Sequence, residues 1–382
     1  MNALSRFLAY YGAVFAAFGV ASPFLPGLLQ QSGLSPKELG VVLAAGTAVR
    51  LLSGPLGGRL ADRTGHAPLV LTGFTAAAAV VAFAYEPARG MVALLLVSVA
   101  HASVLAPLTP VADALALGSA EQTGFRYGWV RGAGSAAFIA GTLLSGGLVD
   151  SMGLGVIIWL NAALLAGAAG LGWLLPNHMA GSRKTFPDAG PNPGAWTLLG
   201  IPTFVRLMVV ASLIGGSHAL HDGFEVIRWR SAGLSATQSS VLWALSVAAE
   251  MLVFVVIGPR LLAVLGPSRA MLLAAAAGIV RWSAAAMTAS FSVMALVEPL
   301  HGLTFALLHL ACMDVIGRVV PIALAATAQA VYATLAVGGT AALLTLASGP
   351  LYGQFGAGAF WAMAALCALA LPIAARLRAP RR

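Results

Sequence analysis

The chain has 382 residues, of which 59% are hydrophobic and only 9% charged, and its mean hydropathy is +0.91. A soluble globular domain carries about a quarter charged residues, so that class is excluded. The formal net charge is +9, but the basic residues sit at the ends of apolar runs rather than in a patch. That argues against a nucleic-acid partner and for a lipid bilayer.

The first apolar run, near 7–29, follows Arg6 and is too long for a signal h-region. It carries Pro23, Phe24 and Pro26, and two prolines predict a bend. Runs near 39–60, 68–86, 91–117, 128–149 and 154–175 follow. A polar stretch rich in Pro and Gly reads as a linker. Six more runs lie near 201–227, 237–262, 270–289, 292–316, 322–348 and 355–375. Each is long enough to cross a bilayer as a helix, and none alternates as a barrel strand would. The expected fold is an all-α membrane protein of twelve transmembrane helices in two pseudo-symmetric six-helix bundles. The bundles are placed at 1–176 and 200–382, with a cytoplasmic linker at 177–199. Cys312 and Cys367 fall inside apolar runs, so no disulfide framework is expected.

Lys and Arg set the orientation. With the N-terminus inside, the cytoplasmic side collects Arg6, Arg59, Arg63, Arg126, Arg183, Lys184, Arg260, Arg269, Arg318 and the tail arginines Arg376, Arg378, Arg381 and Arg382. The outer side keeps Lys37, Arg89, Arg228 and Arg230. Both termini are therefore expected in the cytoplasm. An internal repeat supports the division into halves. Ser32-Gly33-Leu34-Ser35 recurs as Ala232-Gly233-Leu234-Ser235, an offset of 200 residues that sets Arg50 opposite Glu250.

Between helices two and three lies Gly58-Arg59-Leu60-Ala61-Asp62-Arg63-Thr64-Gly65. It resembles the loop motif Gly-x-x-x-Asp-Arg/Lys-x-Gly of the major facilitator superfamily. Gly58 is expected to allow close helix packing and Gly65 a tight turn. Asp62 is expected to face a helix N-terminus, that of helix eleven near Pro321. The resemblance implies a cytoplasmic gate. The second-half copy, Gly258-Pro259-Arg260 to Gly266, lacks the acid.

Three further stretches resemble the bacterial 3-phenylpropionate transporter family, which is similar to lactose permease and belongs to the proton-symporter branch. They are Tyr127-Gly128-x-x-Arg131-x-x-Gly134-Ser135, Leu242-Trp243-Ala244-Leu245-x-Val247-x-x-Glu250, and Arg281-Trp282 followed by His301-x-x-Thr304-Phe305. Ala133 stands where that family carries Trp. The resemblance implies roles in proton coupling and substrate binding for Glu250, Arg281 and His301. Thr304 stands where the relative has its proton-carrying acid, so another acid must serve here. Glu250 is the first candidate and Glu298 the second.

Charges inside lipid are costly, so each is a functional candidate. Arg50, Glu250, Arg281 and His301 each lie about 10–14 residues into their helices, near the midplane. An acid whose arginine partner moves between states can bind and release a proton. The alternative for Glu250 and Arg281 is a structural ion pair. Arg50 suits a carboxylate anchor, or else pairs with a carbonyl or acid. Glu298, His301, His309 and Cys312 fall within about 80° of helix ten, a polar stripe facing protein. On helix seven, His218, His221, Asp222 and Glu225 share one face. That face reads as a water-lined mouth contacting substrate through His218 and Asp222, and less readily as a metal site. Asp113 and Arg131 read as gate structure, paired with each other or with the Asp62 loop. Phe24, Trp243 and Trp282 offer an aromatic wall, or ordinary packing.

No enzyme constellation, metal centre or cofactor fingerprint is recognisable. The expectation is a proton-coupled symporter in a bacterial inner membrane, working as a monomer by alternating access. Its partners would be protons and a small organic solute such as a phenylpropionate. Proton-coupled export of drugs or metabolites is the alternative.

Overall fold

The computed structural model describes residues 1–178 and 195–377. Most of the expected linker lies outside the described residues, as do Arg183, Lys184, Arg378, Arg381 and Arg382. No strand occurs among the described residues. Eight helical runs are long and apolar enough to cross a membrane, and Ala67–Phe83 and Val156–Gly172 are shorter apolar helices. Two of the eight, Ala236–Met287 and Ile322–Ala375, contain 52 and 54 residues, twice the length of a span. They break at Gly266 (φ 73°) and Gly356 (φ 53°), positions that need the left-handed freedom of glycine. The described residues thus fold as twelve spans. Helices are the only open-ended solution here, because lipid offers no partner to a free backbone N–H or C=O.

By contacts the chain separates into two units. One holds the first six spans together with Ser235–Val241, and the other holds the remaining spans. The repeated Gly-Leu-Ser is a helix-start signal in both halves. Gly33 (φ 102°) and Gly233 (φ 93°) turn the chain. Ser35 then caps the helix Pro36–Thr64, with Glu38 Oε2 accepting from the Ser35 N–H at 2.9 Å. At the second copy the Gln238 N–H donates to Ser235 Oγ at 3.0 Å, and the Ser235 N–H donates to Gln238 Oε1 at 2.9 Å. Each is a reciprocal capping box. Within the first unit, Asp150 adds a second acceptor at that helix start. It takes the N–H groups of Ala236 and Thr237 at 2.7 and 2.8 Å.

The first span breaks at Ser22–Phe24 into Ala3–Ala21 and Leu25–Gln31, where the prolines predict a bend. It packs closely on the fifth span, Tyr127–Met152. A Cβ at Gly19 would overlap the Phe138 carbonyl, and one at Gly141 would overlap that of Ala16. Small residues let backbones approach in this way, and packing of this kind holds membrane helices together. Thr142 Oγ1 donates to the Gly19 carbonyl at 3.0 Å across the same seam. We expect Gly141→Val to separate the two helices and lower the melting temperature of the purified protein by several degrees. Gly132→Val, at a position where a Cβ meets nothing within 4 Å, is expected to leave it unchanged.

One expectation about the gate loop is corrected. A Cβ at Gly58 would meet nothing within 4 Å, so Gly58 is not a packing glycine. The close contact belongs to its neighbour Gly57, which lies against Pro107 and Phe74. Gly65 does make the tight turn, ending the helix at φ 66°. Asp62 and Arg63 are exposed.

Candidate functional site

The second unit contains a chain of polar side chains drawn from its seventh to tenth spans. Asp222 Oδ1 lies 3.1 Å from His221 Nδ1, and His221 Nε2 lies 3.2 Å from Glu298 Oε2. Arg281 donates from one terminal nitrogen to Glu298 Oε2 at 2.6 Å. Its other terminal nitrogen is 3.0 Å from His301 Nδ1, and His301 Nε2 is 3.4 Å from Glu250 Oε2. Ser246 donates a short hydrogen bond, 2.5 Å, to the same Glu298 oxygen. The middle of the chain is sealed and its ends are open. Glu298 and Arg281 are 1% and 0% exposed, whereas Asp222 and Glu250 are 63% and 28% exposed.

Local backbone irregularities build this chain. A π-turn at His221–Glu225 interrupts the seventh span and separates the open Asp222 from the buried His221. A second π-turn, Gly302–Leu307, follows His301. Such turns recur at functional sites. Gly302 sits so close to the Ala249 carbonyl that a Cβ there would lie 2.7 Å from it. That approach of the tenth span to the eighth is what brings His301 to Glu250. On the ninth span, Gly278 packs against Cys367, one turn before Arg281. Trp282 donates to Ser217 Oγ at 2.8 Å, and the Arg281 guanidinium lies 4.5 Å from the Trp282 ring centre.

Several expectations are corrected by these contacts. The carboxylate that pairs with Arg281 is Glu298, while Glu250 faces His301. The stripe on helix ten is divided by its π-turn. Glu298 and His301 join the chain, whereas His309 meets Tyr332 at 3.3 Å, and Cys312 is buried. The helix-seven residues do not form an open mouth. His218, His221, Glu225 and Arg228 are buried, and Arg228 bonds Glu225 at 3.1 Å. Only Asp222 is open. His218 stands edge-on to His301 and Trp282 at 5.0 and 5.3 Å, with both ring nitrogens unpartnered. Trp243 stacks on His221 at 5.1 Å. Trp282 and Phe24 are buried in the packing of their own units rather than lining an open wall. Among the described residues no three His, Cys, Asp or Glu side chains are grouped to hold a metal. Ser246 joins the site without having been singled out, and His221, read only as part of the helix-seven face, joins it as a link to Glu298. Their signal was modest: Ser246 precedes Glu250 by one helical turn.

The first unit holds a different arrangement. Arg50 lies midway along Pro36–Thr64 and is exposed. No carboxylate among the described residues pairs with it. Gly46 and Gly54 flank it by one turn each and face the fourth span, at Ala102 and Ala106. Arg50 therefore stands at the seam of the second and fourth spans. Nearer the other end, Asp113 and Arg131 do not pair with each other. Asp113 accepts the hydroxyls of Tyr11 and Tyr127 at 2.5 and 2.8 Å, and Arg131 lies over the Phe15 ring at 4.9 Å.

Twelve spans in two units, each carrying charge at mid-span, define an integral membrane transporter of the major facilitator type rather than an enzyme. The chain belongs to the MFS_1 like family, whose profile matches residues 4–363. It is 32% identical over 371 residues to a probable 3-phenylpropionic acid transporter of Escherichia coli (strain K12), covering 94% of each chain. It is 26% identical to a maltose permease of Geobacillus stearothermophilus, covering 95% of this chain and 91% of the relative. The solved nucleoside transporter NupG, as its D323A mutant, superposes with a TM-score of 0.87 at 16% identity, covering 98% of each chain. That likeness concerns the fold.

Proposed function

We propose that the protein is a proton-coupled symporter for a small aromatic monocarboxylate of the 3-phenylpropionate kind. The halves 1–176 and 200–382, joined through 177–199, would alternate access to a bacterial inner membrane's two sides, with both termini inside and one chain as the working unit. The relative that is named for 3-phenylpropionic acid supports the substrate class. The coupling reading rests on one observation, the sealed Glu298–Arg281 pair within an imidazole-linked chain that is open at both ends. In a medium of low polarity the two charges neutralise each other only while they touch. Any state that draws Arg281 away leaves Glu298 needing a proton, and His221 and His301 are the groups that would relay it. Glu250, at the open end beyond His301, would exchange protons with water. Arg50 would hold the substrate carboxylate through its guanidinium fork. In the second unit, Asp222 is the exposed acid of the chain and would be its polar substrate contact, with Trp243 behind it. Asp62, Arg63 and Gly65 would form the cytoplasmic gate, braced by Asp113 and Arg131.

The test is external pH in a lightly buffered, de-energised cell suspension. Adding 3-phenylpropionate is expected to raise it as protons enter with the acid, and a neutral amide is expected to leave it unchanged. Acidification, or active extrusion of the acid from loaded cells, would overturn uptake in favour of export.

A further inference from the structure

We infer that His101 is a second ligand of the substrate carboxylate, so that Arg50 and His101 together form a two-point monocarboxylate site within the first unit. The inference rests on the anionic-substrate reading of Arg50 given above. His101 belongs to the helix Gly90–Leu105 and is only 4% exposed. Its Nε2 is buried and has no hydrogen-bond partner. Buried polar atoms are nearly always partnered, and an orphan calls for a cause. The imidazole is held by ring contact instead, with the Tyr85 ring edge-on at 5.6 Å. Tyr85 is itself tied to Ser98 Oγ at 3.3 Å. The ring is thus held in place while its buried Nε2 has no hydrogen-bond partner.

Its position suits a ligand. Ser98 and Ala102, which bracket His101 on the fourth span, are the residues that face Gly46 across the seam. Arg50 lies one turn beyond Gly46 on the same helix face. Among the described residues the site therefore offers a guanidinium with no carboxylate partner and an imidazole nitrogen with no hydrogen-bond partner. A single carboxylate satisfies both. Arg50 takes one or both oxygens, and Nε2, in its N–H tautomer, donates to one of them. Because Nε2 is buried, this contact forms only when side chains around the ring shift to admit the substrate. A second carboxylate on the substrate would find no partner here, which makes the site selective for monoacids.

The experiment compares 3-phenylpropionate with its neutral amide in binding to purified protein. The wild type is expected to prefer the acid. His101→Phe keeps the ring and removes the nitrogen. It is expected to weaken the acid about tenfold, the worth of one hydrogen bond to a charged group, while leaving the amide unchanged. His101→Gln, which returns an N–H donor, is expected to recover most of the loss. A wild type that does not prefer the acid overturns the anionic-substrate reading and this inference with it. A wild type that prefers the acid, with a Phe variant that binds it equally well or loses both ligands alike, overturns the role of His101 alone. A measurement on the unaltered protein guards against a variant that fails to assemble. In ¹⁵N-histidine spectra, one imidazole nitrogen should shift on adding the acid and stay put on adding the amide, and the absence of such a shift overturns the inference.

Discussion

Replacing Glu298 with glutamine is expected to abolish proton-driven accumulation of the substrate while sparing exchange of labelled for unlabelled substrate at equilibrium. Accumulation requires the carrier to release and rebind a proton on each cycle, whereas exchange needs only the loaded carrier to reorient. Glutamine cannot carry the proton, but it fills the same volume and still accepts from Ser246 and Arg281. The substitution also leaves the Arg281 charge buried without a counter-charge, a loss worth about 3–5 kcal/mol when one partner of a sealed pair is removed. The single variant should therefore melt earlier. The double variant Glu298→Gln, Arg281→Gln removes both charges and is expected to regain much of that stability without regaining accumulation. Proteoliposomes with an imposed pH gradient measure accumulation, and thermal unfolding measures stability. Wild-type accumulation by either variant would remove Glu298 from the coupling path. Glu250→Gln is expected to do less, because Glu250 pairs with a histidine at the open end of the chain rather than with the sealed arginine.

Arg50→Ala is expected to cost the carboxylate-specific part of binding. Hydrogen bonds to charged groups contribute roughly 1.5–3 kcal/mol, which corresponds to about 10- to 150-fold in affinity. The neutral amide should bind the variant as it binds the wild type. Arg50→Lys keeps the charge but loses the planar fork, and is expected to fall between the two. Removing a guanidinium that has no carboxylate partner among the described residues should not destabilise the fold. Arg50→Ala is therefore expected to melt at or above the wild-type temperature without substrate. A lower melting temperature would mean that Arg50 is a structural cation. Calorimetric titration of acid and amide, with melting curves in their absence, separates the two roles.

Much of the architecture was legible because a bilayer leaves so few options. Spans, breaks and the two halves follow from apolar run length and from glycine and proline. The repeat at Ser35 and Ser235 was visible as letters and proved to be a pair of capping boxes. Arg50, Glu250, Arg281, Glu298 and His301 stood out for the same reason: each is a polar group in a run where lipid makes it costly. Partnership was not legible. Glu250 and Arg281 looked like a pair because both sit at mid-depth, yet Arg281 reaches Glu298, a few residues before the π-turn of the tenth span. A π-turn has no compositional signature, and it rotates every residue beyond it, so the stripe from Glu298 to Cys312 could not hold on paper. The close approach at Gly302 was equally silent, since a glycine that packs and one that meets nothing, such as Gly58, look the same in a sequence.

By itself, then, the sequence determined that this is a twelve-span membrane protein of two related halves, and which of its residues are too polar for lipid. Those properties depend on local length, hydropathy and turn chemistry. The tertiary structure alone decided that Glu298, rather than Glu250, meets Arg281, that His221 and His301 link the pair to more exposed carboxylates, and that Arg50 stands at the seam with the fourth span, which carries His101, without a carboxylate partner among the described residues. Each of these depends on distances of a few ångströms between helices far apart in the chain, set by helix register and by which glycines make close contact.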